Sequence, residues 1–170
     1  MGLDWEKEYK KTSIPEIEGY RYFFGEIGYG KIYYYGSKDF LDSEVELQIS
    51  FKSRKISSAL LILGPAGIGD YDCAEKYKKI SEFLTKKYGK RSKVYVEKDP
   101  DIQDLVHDSP CLSFRIGLYL IESTWENENF IIKAVMLGDG DGIYIEINYD
   151  HRSRSKKKTK NEVEKLLKRL

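Results

Sequence analysis

From Glu44 to Phe51 the chain alternates without a break: Val45, Leu47, Ile49 and Phe51 are apolar, and Glu44, Glu46, Gln48 and Ser50 between them are polar. Successive side chains of a strand point to opposite faces, so this stretch reads as a strand with one buried face. The same period returns at Ile143, Ile145, Ile147 and Tyr149. A chain holding such strands needs a sheet with one face covered.

Other strands follow from β-branched and aromatic composition. Tyr20–Ile27, the punctuation Gly28-Tyr29-Gly30, and Lys31–Tyr35 read as a hairpin. The polar turn Lys52–Lys55 leads into Ile56–Leu63. Lys93–Glu97, Leu112–Glu122 and Phe130–Leu137 are further candidates, and Gly138-Asp-Gly-Asp-Gly142 is turn chemistry ahead of the last strand. One long helix is expected over 73–88. Ala74, Tyr77, Ile80, Phe83, Leu84 and Tyr88 recur at helical spacing, Lys86 and Lys87 suit the negative end of the dipole, and Gly89 suits a stop. Asp72 and Glu75 have the spacing of a capping box.

Strands, helix, strands and a terminal helix, with no βαβα alternation, predict an α+β fold. The expected architecture is a mostly antiparallel sheet of about six to eight strands, with one main helix on one face. The chain divides into an N-terminal segment 1–19, an α+β domain 20–150, a polar, basic linker 151–158, and an amphipathic helix 159–170. In the first of these, Trp5 and Tyr9 suit one face of a short helix ended by Pro15.

A length of 170 residues fits one domain. No apolar run approaches the roughly 20 residues of a membrane helix. The start lacks a basic region followed by an apolar stretch, which predicts a soluble cytoplasmic protein, or an exported one if a leader has been removed. Cys73 and Cys111 are too few for a disulfide scaffold; reduced, buried thiols are expected, and a bridge only in an oxidising compartment. Charged residues are 34% of the chain, above the usual quarter, which suits a thermophilic source. Residues 151–170 hold nine Lys/Arg against two Glu, a net +7, so the remaining 150 carry −6 of the overall +1.

The stretch from about Ser43 to Tyr149 resembles a group of small, uncharacterised prokaryotic α+β domains, often exported or lipid-anchored. The resemblance is carried by Tyr77-x-x-Ile80-x-x-Phe83-Leu84-x-Lys-Lys-Tyr88-Gly89-Lys90, then Trp125-Glu-Asn-Glu-Asn-Phe-Ile131, then Ile143-Tyr-Ile-Glu-Ile-Asn-Tyr149. It implies the order of helix ending in Lys-Tyr-Gly, Trp-bearing strand and final strand ending in Tyr, and no known activity.

Few residues point to chemistry. Gly64-Pro-Ala-Gly-Ile-Gly69 has phosphate-loop spacing, but Asp70 and Tyr71 stand where such a loop needs Lys and Ser/Thr. Asp139 and Asp141 are too few for calcium. Cys73 with His107 as base and Asp108 as orienter is the one nucleophilic candidate, with Asp70, Asp72 and Glu75 opposing a thiolate. Cys73, His107, Cys111 and His151 lack the close ligand pairs of a zinc site, so no metal or cofactor is assigned. Arg152, Arg154, Lys156, Lys157, Lys158 and Lys160 could neutralise phosphates, with Tyr20, Tyr22, Phe23, Tyr33 and Tyr35 as stacking faces. Val163, Leu166, Leu167 and Leu170 make a stripe that could dock on a surface. The reading that fits best is a non-catalytic binding or interaction domain whose partner is another protein or a second copy. Nucleic-acid binding through 152–160 and a Cys73-dependent enzyme are the alternatives.

Overall fold

The computed structural model describes residues 3–40, 43–64, 68, 72–98 and 110–155. Eight strands form one sheet: β1 (Tyr20–Glu26), β2 (Lys31–Phe40), β3 (Ser43–Lys52), β4 (Lys55–Leu63), β5 (Lys93–Lys98), β6 (Tyr119–Glu126), β7 (Phe130–Gly138) and β8 (Ile143–His151). Their order is β1-β2-β3-β4-β8-β7-β6-β5, and every neighbouring pair is antiparallel. Two meanders, β1–β4 and β5–β8, therefore join at β4 and β8.

Alternation decides which face is buried. Val45, Leu47 and Ile49 of β3, Ala59, Leu61 and Leu63 of β4, Ile145, Ile147 and Tyr149 of β8, and Ile132, Ala134 and Met136 of β7 lie in one core. The long helix α1 (Cys73–Tyr88) covers this face through Tyr77, Ile80 and Leu84. Two polar contacts fix its position: the Tyr77 hydroxyl donates to Ala134 O (3.0 Å), and the fully buried Trp125 donates its indole N–H to Thr85 Oγ1 (3.1 Å). The opposite face carries Glu46, Gln48, Glu146 and Asn148 and is covered only in part.

Four sequence expectations need correction. No capping box forms at α1: Asp72 makes no side-chain cap, and its carboxylate faces Lys76 (3.3 Å) while Glu75 pairs with Lys79 (2.7 Å). The strand expected from Leu112 is a short helix, α2 (Pro110–Arg115), and β6 begins only at Tyr119. Proline suits a first helical turn, and a bridge between Cys73 and Cys111 fixes α2 against the start of α1 (Cα–Cα 5.8 Å). The thiols are thus oxidised and not reduced. No helix forms over residues 3–19; that segment runs irregularly across the core face, held by tertiary contacts. Tyr9 N–H donates to Arg54 O (2.9 Å), the Tyr34 hydroxyl donates to Pro15 O (2.8 Å), and Trp5 packs on Phe130 (4.8 Å).

The stretch read as a linker from residue 151 is structured where described. His151 ends β8 and is buried, and Arg152–Ser155 form one helical turn, α3. The rest of that linker, the helix expected over 159–170, most of the glycine-rich stretch 64–69 and residues 99–109 lie outside the described residues. Among the described residues no helix is long and apolar enough to cross a membrane.

Candidate binding edge

Strand β1 should present alternate faces, but its pairing with β2 slips by one residue between Tyr22 and Phe24. Such a bulge bends the strand and re-aims side chains. Tyr20 and Tyr22, opposite Gly36 and Tyr34, stay on the core side of the sheet. Beyond the slip, Phe24 is opposite Tyr33, whose side chain, like that of Tyr35, points to the open face. Phe23 joins them. Phe24 stacks on Tyr33 (4.2 Å, 12°), Phe23 meets Phe24 edge-on (5.0 Å), and Phe23 meets Tyr35 edge-on (4.8 Å). Two consecutive phenylalanines thus share one face, and Phe23 and Tyr35 remain 57% and 52% exposed.

Gly25 makes this geometry possible. Its φ of +106° is left-handed, and a Cβ there would lie 2.4 Å from Lys31 O. The Tyr22 hydroxyl donates back to Gly25 O (2.9 Å). On the core side, Tyr20, Tyr22 and Tyr34 line an open pocket of about 490 Å³ with residues Ile14–Glu18. Burial pushes the Tyr20 hydroxyl up from its ordinary value and the Tyr34 hydroxyl far up, so both stay neutral. The pocket and the ring cluster lie on opposite faces of β1.

The candidates named from sequence are not brought together here. Cys73 is fully buried and bonded to Cys111, so in this form it has no thiol to ionise, and His107 and Asp108 lie outside the described residues. Asp139 Oδ1 accepts from the Asp141 and Gly142 N–H groups (3.0 and 3.1 Å), which makes it a turn former. Arg152 pairs with Glu126. Arg154 is engaged three times: Nη1 donates to Trp5 O (2.6 Å) and Ile56 O (2.7 Å), and Nη2 to Glu6 Oε2 (2.8 Å). Both arginines are thus paired within the chain, Arg152 at the surface and Arg154 largely covered. Lys156, Lys157, Lys158, Lys160 and the stripe Val163, Leu166, Leu167 and Leu170 lie outside the described residues.

Around Arg154 lies a polar group that the sequence did not suggest, because its members are about 150 residues apart along the chain. His151 Nε2 faces Glu6 Oε1 (3.3 Å), and Nδ1 faces Ser153 Oγ (3.0 Å). Burial, then the charge of Arg154, holds the imidazole below its usual value against the pull of Glu6. Serine, imidazole and carboxylate stand in nucleophile order. The Arg152 N–H, which could serve a developing oxyanion, is already donated to Asn129 O (2.9 Å), and Glu6 is taken by Arg154. The group works as a clasp that fastens the N-terminal segment to β4 and β8.

Compared with known protein families, with curated proteins and with solved structures, the chain matches none.

Proposed function

We propose that this protein is a non-catalytic interaction domain, and that the ring cluster Phe23, Phe24, Tyr33 and Tyr35 is its contact surface for a protein partner. The observation that carries the reading is the bulge-driven gathering of four rings on one open face, with Phe23 and Tyr35 more than half exposed. Scattered exposed apolar residues are ordinary, but a contiguous cluster of aromatic rings is the usual centre of a protein interface. Phosphate binding draws less support, because Arg152 and Arg154 are engaged internally.

The buried bridge between Cys73 and Cys111 supports a place in an oxidising compartment, as the resemblance to exported domains implies. A photoreactive residue at position 35, with position 78 on the exposed side of α1 as control, tests the contact surface. Discrete protein adducts from position 35 alone, abolished by Phe23→Ser, are the expected result. Equal adducts from both positions, or none, rule this surface out. Nucleic acid retained through salt-sensitive contacts after Phe23→Ser points to the lysine tail instead.

A further inference from the structure

We propose that β5 is the two-fold interface of a homodimer, pairing with β5 of a second copy about Tyr95. This lies at the opposite edge of the sheet from the ring cluster and is independent of it.

Among the described residues β5 pairs only with β6, in regular register and without a bulge. Lys93 through Glu97 are all exposed, and Val94, Tyr95 and Val96 are 49%, 45% and 47% accessible. An edge like this is normally blunted by a bulge, a proline or a covering element. Among residues 93–97 the blunting devices are only Lys93 and Glu97, one of each sign.

Those two charges specify a partner. In an antiparallel pair, facing residues are either both hydrogen-bonded or both not. A strand pairing with its own copy must therefore be centred on a residue. Centring on Val96 sets Tyr95 against Glu97, and centring on Val94 sets Lys93 against Tyr95. Centring on Tyr95 sets Lys93 against Glu97 twice, Val94 against Val96 twice, and Tyr95 against its own copy. Each of residues 93–97 is then matched, charge to opposite charge and apolar to apolar, the pairings that stabilise facing strands. The faces agree as well. Val94 and Val96 lie opposite Ser123 and Ile121, on the side of the sheet that α1 covers. Lys93, Tyr95 and Glu97 lie opposite Thr124, Glu122 and Leu120, on the open side. An isologous interface needs this self-complementarity, and it closes at two copies.

Sedimentation velocity on the full chain across micromolar concentrations tests the assignment. The expected result is a dimer, with K93E or E97K weakening association roughly tenfold or more because each places two like charges face to face. The double variant K93E/E97K restores opposite charges and should restore the dimer. These are exposed positions, and circular dichroism checks that each variant is folded. Tyr95→Cys should form a covalent dimer under mild oxidant, since facing Cβ atoms lie about 5 Å apart, whereas Lys78→Cys should not. A wild-type monomer throughout, a dimer indifferent to the single reversals, or a double variant that stays monomeric each overturns the proposal.

Discussion

Strands β1 and β5 both end the sheet, yet they meet the exposure of their outer backbone in opposite ways. In β1 the slip after Tyr22, the left-handed Gly25 and the hydroxyl bond from Tyr22 to Gly25 O break up the row of backbone groups. What the edge presents is side chains. In β5 the register is regular and the backbone row intact, so the edge presents a strand. A bulged edge suits recognition through rings and shape. A straight edge suits pairing with another strand, and its sequence then decides which one.

The regions behind the two edges also differ. The β5–β6 side is fastened by α1, α2, the disulfide and Trp125. The β1–β2 side is fastened by the irregular segment 3–19. The largest expected effect that separates them is Trp125→Ala, which empties a fully buried site and should cost about 3–5 kcal/mol in urea unfolding. Next is Cys73→Ser/Cys111→Ser. The bridge spans 38 residues, and chain entropy alone puts its contribution near about 4 kcal/mol. Amide exchange of this double variant should quicken in β5 and β6 and stay unchanged in β1 and β2. Equal quickening everywhere would show that the two sides unfold as one.

On the other side, Tyr34→Phe removes the hydroxyl that reaches Pro15 O and should cost about 1 kcal/mol. It should also loosen the pocket segment without altering self-association. The smallest effect is the pH dependence of the clasp. The folded His151 has a lowered affinity for protons, so the unfolded chain binds more of them below its ordinary pKa near 6.5. The contribution is complete above that value and declines as the pH falls below it. Stability measured from pH 7.5 down to 5 should decline more steeply in the wild type than in His151→Phe. Parallel curves would remove His151 from the account.

Much of this fold can be read from the residues, and the reason varies by element. Strands β3 and β8 alternate because one face is buried along most of their length, and α1 is periodic because one side meets the sheet. Where tertiary contacts choose the conformation, local pattern misleads. Leu112-Ser-Phe-Arg115 looks strand-like, yet it is held in the helix Pro110–Arg115 by the bridge and by close approach to β7, where a Cβ on Gly138 would lie 1.9 Å from Phe114 O. Residues 3–19 carry no period because their shape is set by Arg54, Tyr34, Phe130 and Arg154, all distant in sequence. The ring cluster was visible as composition and not as a surface. An inserted residue leaves no mark in an alternation, so Tyr22-Phe23-Phe24 could not disclose that both phenylalanines face one way.

The slip at Phe23 also bears on how far assembly can proceed. A sheet with two straight, accessible edges can add a copy at each end, and addition at both ends has no natural stopping point. With one edge bent out of register, growth through the proposed pairing of β5 would stop at a pair. Deleting a single residue from Tyr22-Phe23-Phe24 would straighten β1 and supply the second end. On that view the extra residue acts as a chain terminator, and its loss would turn a finite particle into a fibre.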